Sequence, residues 1–247
     1  MHSSRLLVTL CTYNERENLP QLIPEIHGQL PDADVLVVDD NSPDGTGRVA
    51  DELAKADSRV KVLHRPGKLG LGTAILAGFR YGIEHDYRFL INMDADFSHH
   101  PRYLVALRDL MDSTDVAIGS RYVPGGGVVG WGLKRHLMSR GINTWARLLL
   151  GLRTRDNSGS FRCYRIARLA ELDLDRFRAR GYAFQEEILY RCRKIGCRFT
   201  ESPIVFEDRR WGESKISWRE SVTALWVLLR LGLDNLWGVP VRTTGSR

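Results

Sequence analysis

The sequence contains no uninterrupted apolar run of about 18 residues, the length that would suggest a membrane-spanning helix. The nearest approach, residues 222–241, is broken by Arg230 and Asp234. A charge at the centre of a spanning helix costs roughly 2.5–3.5 kcal/mol on insertion scales, so no spanning segment is expected. Cysteine is scarce. Cys11, Cys163, Cys192 and Cys197 form no Cys-x-x-Cys pair, which leaves neither a zinc ribbon nor a thioredoxin-type motif. Several lie in apolar runs, where cysteine behaves as a small hydrophobe, and a reduced, intracellular compartment is the simplest reading. Low-complexity segments and internal repeats are absent. The apolar stretch at residues 6–10 is too short for a signal-peptide core and lacks a small-residue cleavage site, so it is read as a strand. The glycine-rich residues 67–72 lack the Gly-x-x-x-x-Gly-Lys-Ser/Thr order, which excludes a P-loop nucleotidase. No nucleic-acid reader motif is present, nor a face interleaving basic and aromatic residues, and no nucleic-acid partner is expected.

What is present is a 247-residue chain, 43% hydrophobic and 27% charged, an ordinary globular composition at a length that α/β folds reach as one unit. Its net charge of +6 favours anionic partners: phosphate groups, acidic lipid surfaces or polynucleotides. Strand and helix signals alternate through the first half. Strands are expected over residues 5–11, 34–39, 60–63, 88–93 and 116–119. A helix opened by a capping box at Asn14–Glu17 carries Leu19, Ile23, Ile26 and Leu30 at helical spacing. A short helix follows around Val49, Leu53 and Ala56, then helices at 73–83 and 104–111. The alternation predicts a mostly parallel sheet covered by helices on both faces. The second half is less regular. Gly125–Gly127 reads as a hinge or close-approach loop. Helices are expected at 134–150, 184–195 and 217–237, a strand at 199–206, and a charged loop around Gly212 at 207–215.

Sheets of this kind bind ligands beyond the carboxyl ends of their strands. The polar clusters fall at those ends: Tyr13 to Glu15, Asp39-Asp40, Asp94-Ala95-Asp96 and Arg121. Two carboxylates one residue apart at a strand end suit a hard cation bound through oxygen, with Ser98 as a further oxygen ligand. Asp40 is read as a ligand contact for a base or ribose, and Ser42 to Gly45 as a turn and helix cap. Arg121, Arg135, Arg209 and Lys215 supply cations for phosphate; an arginine does so through two parallel hydrogen bonds. His99 and His100, adjacent at a helix start, point in different directions and are read as structural.

Together, Thr12-Tyr13-Asn14-Glu15, Val38-Asp39-Asp40-Asn41-Ser42-Pro43-Asp44-Gly45-Thr46, Leu69-Gly70-Leu71-Gly72-Thr73-Ala74 and Met93-Asp94-Ala95-Asp96-Phe97-Ser98-His99-His100-Pro101 resemble glycosyltransferase family 2, and within it the dolichol-phosphate mannose synthase group. Gly119-Ser120-Arg121-Tyr122, Gly130-Trp131, Gly159-Ser160-Phe161-Arg162, Gly181-Tyr182-Ala183-Phe184-Gln185 and Gly212-Glu213-Ser214-Lys215 continue the match over about residues 5–237.

The resemblance implies a single α/β domain of the GT-A type over residues 1–237. Its nucleotide-binding half would be 1–122 and its acceptor-binding half 123–237, the latter ending in an amphipathic helix, with 238–247 as a tail. It implies metal-dependent, inverting transfer of mannose from GDP-mannose to dolichyl or another polyprenyl phosphate; a related transferase using UDP-glucose is the alternative. By the same resemblance Cys11, Tyr13, Glu15, Val38 and Asp40 hold guanosine. Asp94, Ala95 and Asp96 hold the donor ribose, phosphates and metal, with Asp96 and Ser98 as ligands of Mg²⁺ or Mn²⁺. Arg209 and Lys215 close on the pyrophosphate. Arg121, Arg135 and Ser139 meet the acceptor phosphate, and Asp96, Arg121 and Arg135 carry catalysis. Cys11 stands where the family usually has proline, and Phe97 where leucine is common. A lipid acceptor places the expected site of action in the cytoplasm, peripherally on the cytosolic face of a membrane, with room for a small membrane-anchoring subunit.

Overall fold

The computed structural model describes residues 5–207, 218–241 and 243–244, with the side chains of 218–223 left aside. Its spine is a seven-stranded sheet in the order β3-β2-β1-β4-β7-β5-β8. The strands are β1 (Leu6–Thr12), β2 (Asp34–Asp39), β3 (Val60–His64), β4 (Phe89–Asp94), β5 (Val116–Ser120), β7 (Arg162–Arg165) and β8 (Phe199–Pro203). Pairing is parallel except at β7, which runs antiparallel to both β4 and β5. The sheet therefore takes strands from both halves of the chain. The α/β, GT-A-like arrangement expected from the sequence is the one observed.

Burial on both faces explains the near-continuous apolar strands. Alternate residues feed two cores, because side chains change face at each step. Leu7, Leu36, Val38 and Leu90 point to one side, under α3 (Leu71–Glu84) and α7 (Phe184–Lys194). Leu6, Val8, Leu10, Val35, Val37 and Ile91 point to the other, under α1 (Leu19–Gln29), α2 (Thr46–Ala56) and α4 (Leu104–Asp109).

Two expectations are corrected. The capping box does not form: Asn14 has φ +61, and α1 begins only at Leu19, where the Asn18 amide donates to Glu15 Oε2 at 2.7 Å. The expected strand at 199–206 is two strands. Pro203 has no N–H to continue the ladder, and β9 (Val205–Glu207) pairs instead with β6 (Gly127–Val129), a strand that carried no sequence signal. β7 was also unread; four residues are too few to display a period.

The helix α5 (Leu133–Leu150) packs on α8 (Trp218–Leu236), with the Asn235 amide donating to the Leu149 carbonyl at 3.2 Å. Their outer faces expose Leu133, Leu137, Met138, Trp145, Leu148, Trp226 and Leu236. Among the described residues no helix is long and apolar enough to cross a membrane.

Candidate active site

The carboxyl ends of β1, β2 and β3 bring the first polar cluster together. Asp39 is consumed by its own turn, where it accepts from Thr12 Oγ1 at 2.9 Å, Ser42 Oγ at 2.5 Å and the Ser42 amide at 3.0 Å. Asp44 accepts from the Thr46 amide at 2.9 Å and its hydroxyl at 2.6 Å. The turn reading of Ser42 to Gly45 therefore holds, while the N-cap position of α2 is Gly45, with no side-chain cap hydrogen bond. Asp40, 6% exposed, is paired with Arg65 at 2.5 Å, and Arg65 also donates to Thr73 Oγ1. Burial raises the Asp40 carboxyl above its ordinary range, although Arg65 opposes the shift. Burial, with Asp40 and Asp94 beside it, also pushes the Cys11 thiol far up, so it stays protonated. The Tyr13 ring lies 4.8 Å from the Lys68 ammonium, and the Glu15 amide donates to Thr46 Oγ1 at 2.9 Å. Val38 is fully buried in the core beneath α3.

The glycines opening α3 serve packing. The Gly72 amide donates to the Arg180 carbonyl at 2.8 Å. A Cβ there would lie 2.8 Å from Phe184 Cβ and 2.9 Å from the Ala179 oxygen.

At the end of β4 each carboxylate is tied by a serine. Asp94 Oδ1 accepts from Ser160 Oγ at 2.7 Å, and Asp96 Oδ1 from Ser98 Oγ at 2.5 Å and the Ser98 amide at 3.1 Å. Phe97 turns the chain between Asp96 and Ser98 with φ +62, a left-handed conformation that costs a bulky residue about 1–3 kcal/mol. Its ring is buried in the α1 and α4 core together with Ala95, which anchors that conformation. The Asp94 amide donates to His99 Nδ1 at 3.1 Å, and the His99 ring stacks on Phe161. Burial holds His99 below its ordinary range, so the imidazole is neutral and structural. His100 accepts from the Arg102 amide and caps the next turn.

A divalent cation fits this loop on donor chemistry: two carboxylates and a hydroxyl are hard oxygen ligands. Among the described residues no three His, Cys, Asp or Glu side chains form a metal cluster. Ligand oxygens, such as those of a pyrophosphate, would have to complete the coordination.

The cationic side is built on β5 and α5. Arg121, 8% exposed, makes a bidentate pair with Asp156, Nε to Oδ2 and Nη2 to Oδ1 both at 2.7 Å. Nη2 also donates to Ser158 Oγ at 3.0 Å, and Nη1 has no partner among the described residues. Burial alone would raise the Asp156 carboxyl; the charge and hydrogen bonds of Arg121 outweigh it and hold the group below its ordinary range. The Arg135 guanidinium lies 4.1 Å from the Trp131 ring, and Ser139 Oγ accepts from the Tyr122 hydroxyl at 2.7 Å. Behind Asp156, the fully buried Arg162 donates to the Gln185 and Asn157 carbonyls, both at 2.7 Å. Nearby Glu186 is pushed up to about 7 by burial, with no partner for Oε2 among the described residues.

The structure thus brings Cys11, Asp40, Asp94 and Asp96 to one edge of the sheet, and Arg121, Arg135 and Ser139 to the region around β5 and α5. Arg209 and Lys215 lie outside the described residues. Sequence reading missed Arg65, Asp156 and Glu186, and quoted Trp131 and Ser160 in matching motifs without giving them a role. Arg65 follows β3 directly, so the strand-end rule could have found it. Asp156 and Ser160 acquire their partners only through the unread strand β7.

The family Glycosyl transferase family 2 matches residues 7–172. The chain is 48% identical over 217 residues to a polyprenol monophosphomannose synthase of Mycolicibacterium smegmatis, covering 87% of this chain and 82% of that protein. It is 43% identical over 233 residues to an undecaprenyl-phosphate mannosyltransferase of Micrococcus luteus, covering 94% and 96%. Among solved structures, glucosyl-3-phosphoglycerate synthase from Mycobacterium tuberculosis, in complex with Mn²⁺, UDP and glucosyl-3-phosphoglycerate, matches with a TM-score of 0.66 at 17% identity. That match covers 96% of this chain and 81% of the other, and it is a likeness of fold.

Proposed function

The chain belongs to glycosyl transferase family 2, and from that membership we propose that it transfers mannose from GDP-mannose to the phosphate of dolichyl or another polyprenyl phosphate, releasing GDP. The relatives named above, mannosyltransferases of polyprenol and undecaprenyl phosphate, support the sugar and the acceptor class. The observation that carries the reading is α5. Its first turns hold Arg135 and Ser139, with Tyr122, the residue after Arg121, bonded to Ser139. The same helix exposes Leu133, Leu137, Met138, Trp145 and Leu148. Phosphate-binding chemistry and a lipid-compatible face on one helix suit an acceptor that is both.

In this reading residues 1–237 act as one catalytic domain. Cys11, Tyr13, Glu15, Val38 and Asp40 form the nucleoside end, with Arg65 fixing Asp40. Asp94, Ala95 and Asp96 receive the ribose and pyrophosphate, and Arg209 and Lys215 join them. A divalent cation, Mg²⁺ or Mn²⁺, held by Asp96 and Ser98 would neutralise charge on the departing diphosphate. Arg121 and Arg135 orient the acceptor phosphate for in-line attack on the sugar carbon, with inversion. A phosphate monoester has its second pKa near 6 and is largely ionised at neutral pH. It therefore needs cations to hold it rather than a general base, consistent with the structural role of His99.

The chain would act peripherally at the cytosolic face of a membrane, through the outer faces of α5 and α8. Exposed Lys134, Arg140, Arg147 and Arg230 on these helices favour an anionic lipid surface, and a small anchoring subunit could share the apolar face. The deciding experiment is a product assay with GDP-mannose, UDP-glucose and other nucleotide sugars against a polyprenyl phosphate. Mannosyl transfer dependent on GDP-mannose is expected; preference for another donor would overturn the assignment.

A further inference from the structure

One indole stands within cation–π reach of both proposed phosphate-binding arginines. The Trp131 ring centroid lies 4.1 Å from the Arg135 guanidinium carbon and 5.5 Å from that of Arg121. Arg121 is further enclosed by Tyr122 at 5.3 Å and Phe206 at 5.6 Å, and Phe206 packs edge-on to Trp131 at 5.4 Å. Two guanidiniums repel each other, and Arg121 is already paired with Asp156. The negative face of an aromatic ring attracts both guanidiniums without adding a second full negative charge. A second carboxylate in that place would hold the cations as well, but it would add to the negative charge of Asp156 and repel the incoming phosphate.

A second observation separates this role from ordinary hydrogen bonding. Trp131 Nε1 is buried and has no hydrogen-bond partner among the described residues. An unsatisfied buried donor costs free energy, so the N–H does not explain why an indole stands here. The large π face does, since tryptophan is the best of the aromatic residues for cation–π contact.

We propose that Trp131 is a positioning residue for the acceptor phosphate, its face holding the Arg135 guanidinium beside that of Arg121, which Asp156 already anchors, before the phosphate arrives. The inference rests on the reading that these two arginines receive that phosphate. It separates Trp131 from the donor side, where Asp40, Asp94 and Asp96 lie.

The test compares Trp131→Leu, which keeps apolar bulk without a π face, with Trp131→Phe, which keeps a π face without the N–H. Steady-state kinetics use farnesyl phosphate and GDP-mannose. For the leucine variant the KM for farnesyl phosphate should rise about tenfold, within the range of desolvated cation–π contacts. For the phenylalanine variant the rise should stay below about threefold, with kcat and the GDP-mannose KM nearly constant in both, the pattern of binding lost equally from the ground and transition states. Equal rises in the two variants, or a donor KM that rises in step, would overturn the role. Should the leucine variant not fold, the wild-type chain and Trp131→Phe are each labelled with 5-fluorotryptophan, which weakens the π face at constant shape. The label should raise the acceptor KM of the wild-type chain and leave that of Trp131→Phe unchanged; an equal effect in both counts against the proposal. Failure of the unlabelled wild-type chain to use farnesyl phosphate with any nucleotide sugar would remove the acceptor reading itself, and the role of Trp131 with it.

Discussion

Arg121 and Asp156 form a two-pronged ion pair with both contacts at 2.7 Å, and the Asp156 side chain is entirely buried. Asp156 also accepts from the backbone amides of Arg121 at 2.9 Å and Gly159 at 3.1 Å. The cation is thereby fixed to the scaffold at its Nε and Nη2 edge.

Removing one partner leaves a buried charge unpaired, which typically costs about 3–5 kcal/mol. Asp156→Ala should therefore lower the urea midpoint strongly. Because the folded-state value of Asp156 is depressed, its contribution is complete above the unfolded carboxylate range near pH ~4 and fades as pH falls through the lower folded value. Wild-type stability should fall more steeply than that of the variant on that acid limb. Parallel acid limbs would contradict this account.

Asp96→Ala should leave the fold intact and reduce kcat by about 10²-fold or more, since charge stabilisation of a leaving group carries effects of that size. Circular dichroism and turnover in the presence and absence of EDTA provide the check. Full activity of a folded variant under EDTA would rule out the role given to Asp96.

Arg65→Ala should act on the donor. Asp40 would keep its burial and lose its charge partner, so its carboxyl would rise further above the ordinary range. The KM for GDP-mannose should rise by about tenfold, the scale of one charged hydrogen bond, while the acceptor KM stays nearly constant. A base contact that needs the ionised carboxylate is lost as pH falls through its pKa. The acid limb of kcat/KM for the donor should therefore move to higher pH in the variant. A shift in the acceptor KM alone would disprove the placement.

Gly72→Ala tests the close approach of α3 to the segment before α7. Its Cβ would meet Phe184 Cβ at 2.8 Å and the Ala179 oxygen at 2.9 Å. Overpacking of this kind costs typically about 1–3 kcal/mol. Chemical denaturation should show that loss, and an unchanged midpoint would mean that α3 shifts freely.

Membrane contact is tested at Leu148, 77% exposed on α5. Leu148→Glu should weaken co-sedimentation with vesicles containing anionic lipid and spare turnover of a short acceptor. Wild-type binding should fall as salt is raised, because screening shortens the reach of Lys134, Arg140, Arg147 and Arg230. Binding indifferent to both the variant and salt would argue against this surface.

The sequence alone determined the alternation of strands and helices in the first half and the positions of the carboxylates. Both follow from local rules. Buried parallel strands are apolar throughout, and polar residues begin where the strand leaves the sheet, so Asp40, Asp94 and Asp96 were legible at the ends of β2 and β4. Arg121 was legible as a strand-end cation. Tertiary structure alone decided what these groups do to one another. β7 lies between β4 and β5, antiparallel to partners remote in sequence, Ile91 opposite Cys163 and Ala117 opposite the same residue. That insertion brings Ser160 to Asp94 and Asp156 to Arg121. The pairing of Arg65 with Asp40 spans 25 residues, and no periodicity encodes a contact at that separation. Whether a charge is spent on the scaffold or held for a ligand depends on which side chains share its space, and that is fixed only when the sheet closes.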